Sequence, residues 1–170
     1  MTESSELVIT RVLDAPRTLV WETWTTPEHL MQWWGPKGSQ MLSATVDLRL
    51  GGTCHYGMRV GGGQEIWGRF VFREITAPER LVFVMAISDP EGGITRSPWD
   101  PTWPLEVLTT VTFAEAAGRT TLTLTAVPVD ATDAERKSFR DGHASMRGGF
   151  GGSFDRLEAL LARIGEAGAV

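Results

Sequence analysis

Three histidines, His29, His55 and His143, and one cysteine, Cys54, are the residues best suited to proton transfer, thiolate chemistry or transition-metal binding. None stands at His-x-x-x-His or Cys-x-x-Cys spacing, so no metal site is expected. The glycine clusters Gly61-Gly62-Gly63 and Gly148-Gly149-Phe150-Gly151-Gly152 lack the lysine and strand-to-helix context of a phosphate loop. No Gly-x-Ser-x-Gly elbow is present either. His143 falls one helical turn from both Phe139 and Met146, and so points where they point. It is either a core histidine bonded to a backbone carbonyl, or a polar anchor or general base inside a cavity. Glu65, Trp67 and Arg69 share one face of a strand by period two. An arginine beside a tryptophan can hold a ligand's carboxylate or carbonyl, and the alternative is an exposed polar face.

Further groups concern binding rather than catalysis. Cys54, Tyr56 and Met58 alternate with His55, Gly57 and Arg59, and the first trio is expected to face inward. A tyrosine hydroxyl buried there needs a partner. Trp33 and Trp34 close a helical segment, while Trp99 and Trp103 lie in an irregular stretch, Ser88 to Pro104, holding four of the nine prolines. Loops of that length in compact domains are commonly functional, and tryptophans argue against disorder. They read as the rim of a cavity or as a contact with a second copy of the chain.

These residues need elements to hold them. From Thr132 to about Arg163 the apolar residues Phe139, Met146, Phe150, Phe154, Leu157, Leu160, Leu161 and Ile164 step by three and four, which predicts one long amphipathic helix. Thr132 and Glu135 form a capping box and Gly165 a stop, giving a length of roughly 48 Å. Each glycine inside it costs about 1 kcal/mol against alanine, so the cluster around Phe150 implies a kink, a close packing contact or room for a guest. Earlier, Leu7 to Leu13 reads as a strand, Arg17 to Thr25 as a short helix, and Pro27 to Trp34 as another ended by Gly35-Pro36. Then period two takes over: Thr45 to Leu50, Thr53 to Val60, Glu65 to Ile75, Arg80 to Ile87, Leu105 to Ala114 and Thr120 to Val127. Leu122, Leu124 and Ala126 against Thr121, Thr123 and Thr125 give one greasy face. Segregated helices and strands indicate an α+β fold, a curved antiparallel sheet wrapped around the C-terminal helix.

Size and charge narrow the options. A chain of 170 residues is expected to be one domain, 1–170, with an ordered core of about 6–164. A net charge of −5 argues against a nucleic-acid partner. No apolar run approaches the roughly 20 residues of a membrane span, and no basic-then-apolar leader opens the chain. A lone cysteine fits a reduced, cytoplasmic setting.

At Ala15-Pro16, Val20-Trp21, Trp24-Thr25, Pro27-Glu28-His29-Leu30 and Trp33-Trp34-Gly35-Pro36 the sequence resembles a known family. These are the homologues of the activator of the ninety-kilodalton heat-shock-protein ATPase, in the START-like (SRPBCC) superfamily. The resemblance continues through Val46-Asp47-Leu48-Arg49, Gly51-Gly52, Pro78-Glu79-Arg80-Leu81-Val82-Phe83 and Val111-Thr112-Phe113. It closes at Met146, Gly149-Phe150 and Leu157, where the family usually has a glycine–tryptophan pair and a leucine. It implies the helix-grip fold and a small hydrophobic ligand between sheet and helix. Phe150 in place of tryptophan, with Gly148, Gly151 and Gly152 extra to the motif, implies a reshaped cavity.

The expectation is therefore a binding protein for a small hydrophobic molecule, non-catalytic or weakly catalytic and without cofactor. Its cavity is assigned to Trp33, Trp34, Tyr56, Met58, Trp67, Arg69, Met85, Trp99, Trp103, His143, Met146, Gly149 and Phe150. The alternatives are a cyclase- or hydrolase-like enzyme of the same superfamily using His143, and a module regulating a chaperone ATPase. A homodimer and a monomer both remain open.

Overall fold

Alternation along the strands decides which face of the sheet is buried. On the last strand Leu122, Leu124 and Ala126 are enclosed while Thr121, Thr123 and Thr125 are half-exposed. The computed structural model describes residues 5–168, with side chains through 165; the first four residues of the polar tail lie outside that range. It contains strands β1 (Leu7–Leu13), β2 (Gln40–Val46), β3 (Thr53–Arg59), β4 (Glu65–Thr76), β5 (Arg80–Ser88), β6 (Val107–Ala116) and β7 (Arg119–Pro128). The helices are α1 (Arg17–Thr25), α2 (Pro27–Trp33), α3 (Asp133–Asp141) and α4 (His143–Gly168). All seven strands form one antiparallel sheet in the order β1-β7-β6-β5-β4-β3-β2. The helical insert α1–α2 carries the chain from one edge of the sheet to the other. Its apolar side fills one end of the concave face.

That end is packed solid with aromatic rings. Trp24 meets Trp33 at 4.9 Å, Trp34 at 5.8 Å and Phe113 at 6.2 Å between centroids, and Phe70 stacks on Phe83 at 4.3 Å. Phe154, Leu157, Leu160 and Leu161 of α4 press into the same core. Several bonds then stitch α4 to the first strand. Arg11 Nη1 donates to Asp155 Oδ1 at 2.8 Å, with its guanidinium 5.8 Å from the centre of the Phe154 ring. Arg147 Nη1 donates to the Val8 carbonyl at 2.6 Å. On the other flank, Arg156 Nη1 donates to the Gly35 carbonyl at 3.2 Å.

The expectations for the C-terminal helix and for β2 are corrected. The predicted single helix is two, interrupted at Gly142, although the Thr132–Glu135 capping box is present. The ring of Trp103 lies against Gly142, where an added Cβ would come within 2.8 Å of it. The glycine cluster is not the break. Around Gly148, Gly149 and Gly151 there is open space, and only Gly152 packs closely, with Lys37 N 3.0 Å from where a Cβ would sit. The helix also continues past Gly165 to Gly168. The other correction is β2, which ends at Val46 instead of spanning Thr45 to Leu50. Arg49 Nε bonds Asp47 Oδ2 at 2.7 Å and Gly52 N bonds the Arg49 carbonyl at 2.8 Å, so 47–52 is the turn, with Leu48 and Leu50 exposed.

Candidate ligand-binding site

Where the aromatic packing stops, the space between sheet and α4 is hollow. One lobe, of about 210 Å³, is bounded by β3, β5, β6 and β7 with α3 and α4 above, and opens toward solvent on one side. Tyr56, Met85, Ala86, Ile87, Trp103, Pro104, Val107, Thr109, Ala126, Phe139, Met146 and Phe150 line it. A second lobe of about 220 Å³, largely open to solvent, lies toward the insert, against Trp34, Gly35, Pro36, Tyr56, Met58, Met146, Gly149, Phe150 and Ser153. Tyr56, Met146 and Phe150 belong to both and form the wall between them. No charged side chain lines either lobe.

The wall depends on a missing side chain. Tyr56 on β3 pairs with Gly68 on β4 and lays its ring across that glycine; a Cβ on Gly68 would meet the phenol oxygen. Burial pushes the Tyr56 phenol above its ordinary range, only partly offset by a hydrogen bond with Trp34, so the group is neutral at physiological pH. Burial likewise pushes the neighbouring Cys54 thiol up to about 12, which makes it a poor nucleophile.

Outside the inner lobe is an open basin of about 660 Å³ sharing Ile87, Trp103 and Met146 with it. The segment between β5 and β6 forms one side, and α3 with the start of α4 forms the other. Arg96 Nη1 donates to Glu135 Oε2 at 2.6 Å, and the Thr102 hydroxyl bonds that of Ser138. Trp103 packs on Phe139 at 5.5 Å, whereas Trp99 is 59 % exposed on the basin wall. The segment is thus fastened to α3 over the mouth of the hollow. Glu135 has its carboxyl held below the usual range by the Thr132 backbone N–H and by Arg96.

Of the residues assigned from sequence, Trp34, Tyr56, Met58, Met85, Trp103, Met146, Gly149 and Phe150 line one lobe or both, and Trp99 stands on the basin. Four lie elsewhere. Trp33 is fully buried in the aromatic core, donating Nε1–H to the Thr23 carbonyl at 2.8 Å. Trp67 and Arg69 pair with Gly57 and His55, the outward positions of β3, because Tyr56 and Cys54 take the inward ones. There Trp67 stacks on His55 at 5.3 Å, and Arg69 Nη1 donates to the Gly92 carbonyl at 3.1 Å. This set holds the 89–93 turn on the convex face. His143 has Nε2 3.1 Å from the Ser5 carbonyl oxygen and its ring edge-on to Phe139; it lines neither lobe.

The inner lobe is also lined by Ala86, Ile87, Pro104, Val107, Thr109, Ala126 and Phe139, none of which is among the residues assigned from sequence. Thr109 carried a signal. Val107, Thr109, Val111 and Phe113 share the inward face of β6, and threonine is its only polar member. Among the described residues no cluster of three or more histidine, cysteine or acidic side chains could hold a metal ion. No described helix is long and apolar enough to cross a membrane.

A curved antiparallel sheet holding a C-terminal helix across an apolar hollow is the helix-grip fold. The chain belongs to the family of Activator of Hsp90 ATPase homolog 1-like proteins, whose model matches residues 14–162. Solved structures share the fold at low identity. Protein NE0264 from Nitrosomonas europaea is 24% identical with a TM-score of 0.77, covering 97% of this chain and 99% of that one. Protein Ms6760 from Mycobacterium smegmatis is also 24% identical, with a TM-score of 0.76 over 92% and 90% of the two chains. The AHSA1 protein from Silicibacter pomeroyi is 19% identical, with a TM-score of 0.70 over 92% and 97%. No curated protein sequence matches the chain.

Proposed function

We propose that this protein binds a small hydrophobic molecule in the hollow between the sheet and α4. The observation that carries the reading is the apolar inner lobe of about 210 Å³ between sheet and helices, adjoined by a more open apolar lobe of about 220 Å³, beside a core filled with stacked rings. Protein interiors are close-packed, so a hollow of that size beneath α3 and α4 calls for an explanation. An apolar cavity of roughly 150 Å³ already takes benzene. The fastening of the 89–106 segment to α3 supports the same reading, because it shelters the inner lobe while leaving a basin beside it. Acid–base chemistry has little support there, since no histidine lines either lobe and His143 lies with Nε2 3.1 Å from the Ser5 carbonyl oxygen. Native mass spectrometry of freshly purified protein should show a co-purified mass of a few hundred daltons that organic extraction removes. Absence of any adduct, together with no saturable binding of neutral fluorescent hydrocarbons, refutes the proposal.

A further inference from the structure

Two buried side-chain polar atoms have no hydrogen-bond partner among the described residues: Trp24 Nε1 and Thr109 Oγ1. The first is wedged among the rings of Trp33, Trp34 and Phe113 and touches no hollow. Thr109 is different. It is fully buried, faces inward on β6 between Val107 and Val111, and lines the inner lobe. An unpaired buried hydroxyl destabilises the chain that carries it, and valine has almost the same shape without that loss. A threonine here therefore makes chemical sense if something bound in the lobe completes its hydrogen bond.

The remaining lining limits what that guest can be. The lobe presents no charged side chain, and an ionised group buried there would go unpaired. A pure hydrocarbon would leave the hydroxyl as it is. About 210 Å³ exceeds the roughly 150 Å³ that accommodates one benzene ring, which makes room for two fused rings. We propose that the inner lobe takes a neutral, apolar molecule of two-ring size bearing one hydroxyl or carbonyl group, and that Thr109 hydrogen bonds to that group. This rests on the cavity reading above and specifies its guest.

Naphthalene and 2-naphthol are a matched pair of probes, alike in shape and differing by one hydroxyl. Fluorescence titration of the parent should show 2-naphthol binding about three- to tenfold tighter than its partition into water alone accounts for, relative to naphthalene. In Thr109→Val that preference should vanish while naphthalene binds at least as well. Thr109→Ser should retain it. If the parent shows no preference, or Thr109→Val keeps it, the assignment is overturned and the cavity reading stands. If neither probe saturates on the parent and native mass spectrometry shows no adduct, both are overturned; if an adduct is present but neither probe saturates after its extraction, only the two-ring assignment is overturned. Should Thr109→Val fail to fold, the parent's preference and its retention in Thr109→Ser decide the matter.

Discussion

Removing the ring of Phe150 should join the two lobes, and the cost can be worked from its surroundings. Phe150 stands 6.2 Å from Trp34 and 5.9 Å from Phe154 between ring centroids, with hollow on both other sides. Truncating a fully packed phenylalanine to alanine costs about 3–5 kcal/mol. Phe150 is half-buried and borders two cavities, so it gives up fewer contacts, and Phe150→Ala should lose only about 1–3 kcal/mol in urea unfolding. The gain should appear in size selectivity. The parent should favour a two-ring fluorophore over a four-ring one such as 1-hydroxypyrene, and the variant should reverse that order, because the lobes of about 210 and 220 Å³ become one space. Titration of both dyes on both proteins is the assay. A loss above about 5 kcal/mol with unchanged dye preference would show that Phe150 is ordinary core and that the partition is unrelated to binding.

Three more outcomes follow from the same geometry. Trp33→Phe removes the donor to the Thr23 carbonyl and some ring volume in a sealed core, so it should cost about 1–3 kcal/mol in urea titration yet leave dye affinity unchanged. Arg96→Ala unfastens the segment over the basin; hydrogen exchange in 89–106 should quicken and bound dye should dissociate faster, and unchanged rates would deny the segment a gating role. Asp155 has its carboxyl held low by hydrogen bonds from Arg11 and then Lys37, so its folded-state pKa lies below the unfolded value. Its contribution is present above about pH 4 and fades as pH falls through the folded value. The stability gap between parent and Asp155→Asn should accordingly narrow between pH 7 and pH 3, and a constant gap would contradict the assignment.

Much of the fold was legible because it depends on local periodicity. β1 and α1 fall at Leu7–Leu13 and Arg17–Thr25, the spans their spacing predicts. Elsewhere, local pattern and tertiary contact diverge. The apolar stripe passes through 139–146 without a fault, since the interruption at Gly142 is tied to a ring arriving from Trp103, far away in sequence. Leu48 and Leu50 alternate like a strand but sit exposed on a turn set by Asp47 and Arg49. Period two places Trp67 and Arg69 together, yet only pairing with β3 says which side of the sheet they share. The cavity was half legible for the same reason. Met146 and Phe150 lie on a visible helical stripe, whereas Val107 and Ala126 became lining only once strands were laid side by side.

The bonds from Arg11 to Asp155 and from Arg147 to the Val8 carbonyl also bear on how the chain reaches this state. They join groups 144 and 139 positions apart, so the hollow can close only after nearly everything between them has been made. Until α4 leaves the ribosome, the greasy inner surface of the sheet beyond the α1–α2 insert lacks its main cover, the situation in which slow, long-range assembly becomes prone to aggregation. A nascent chain halted before His143 would then be a substrate for holding chaperones, and release of its last helix would end that dependence.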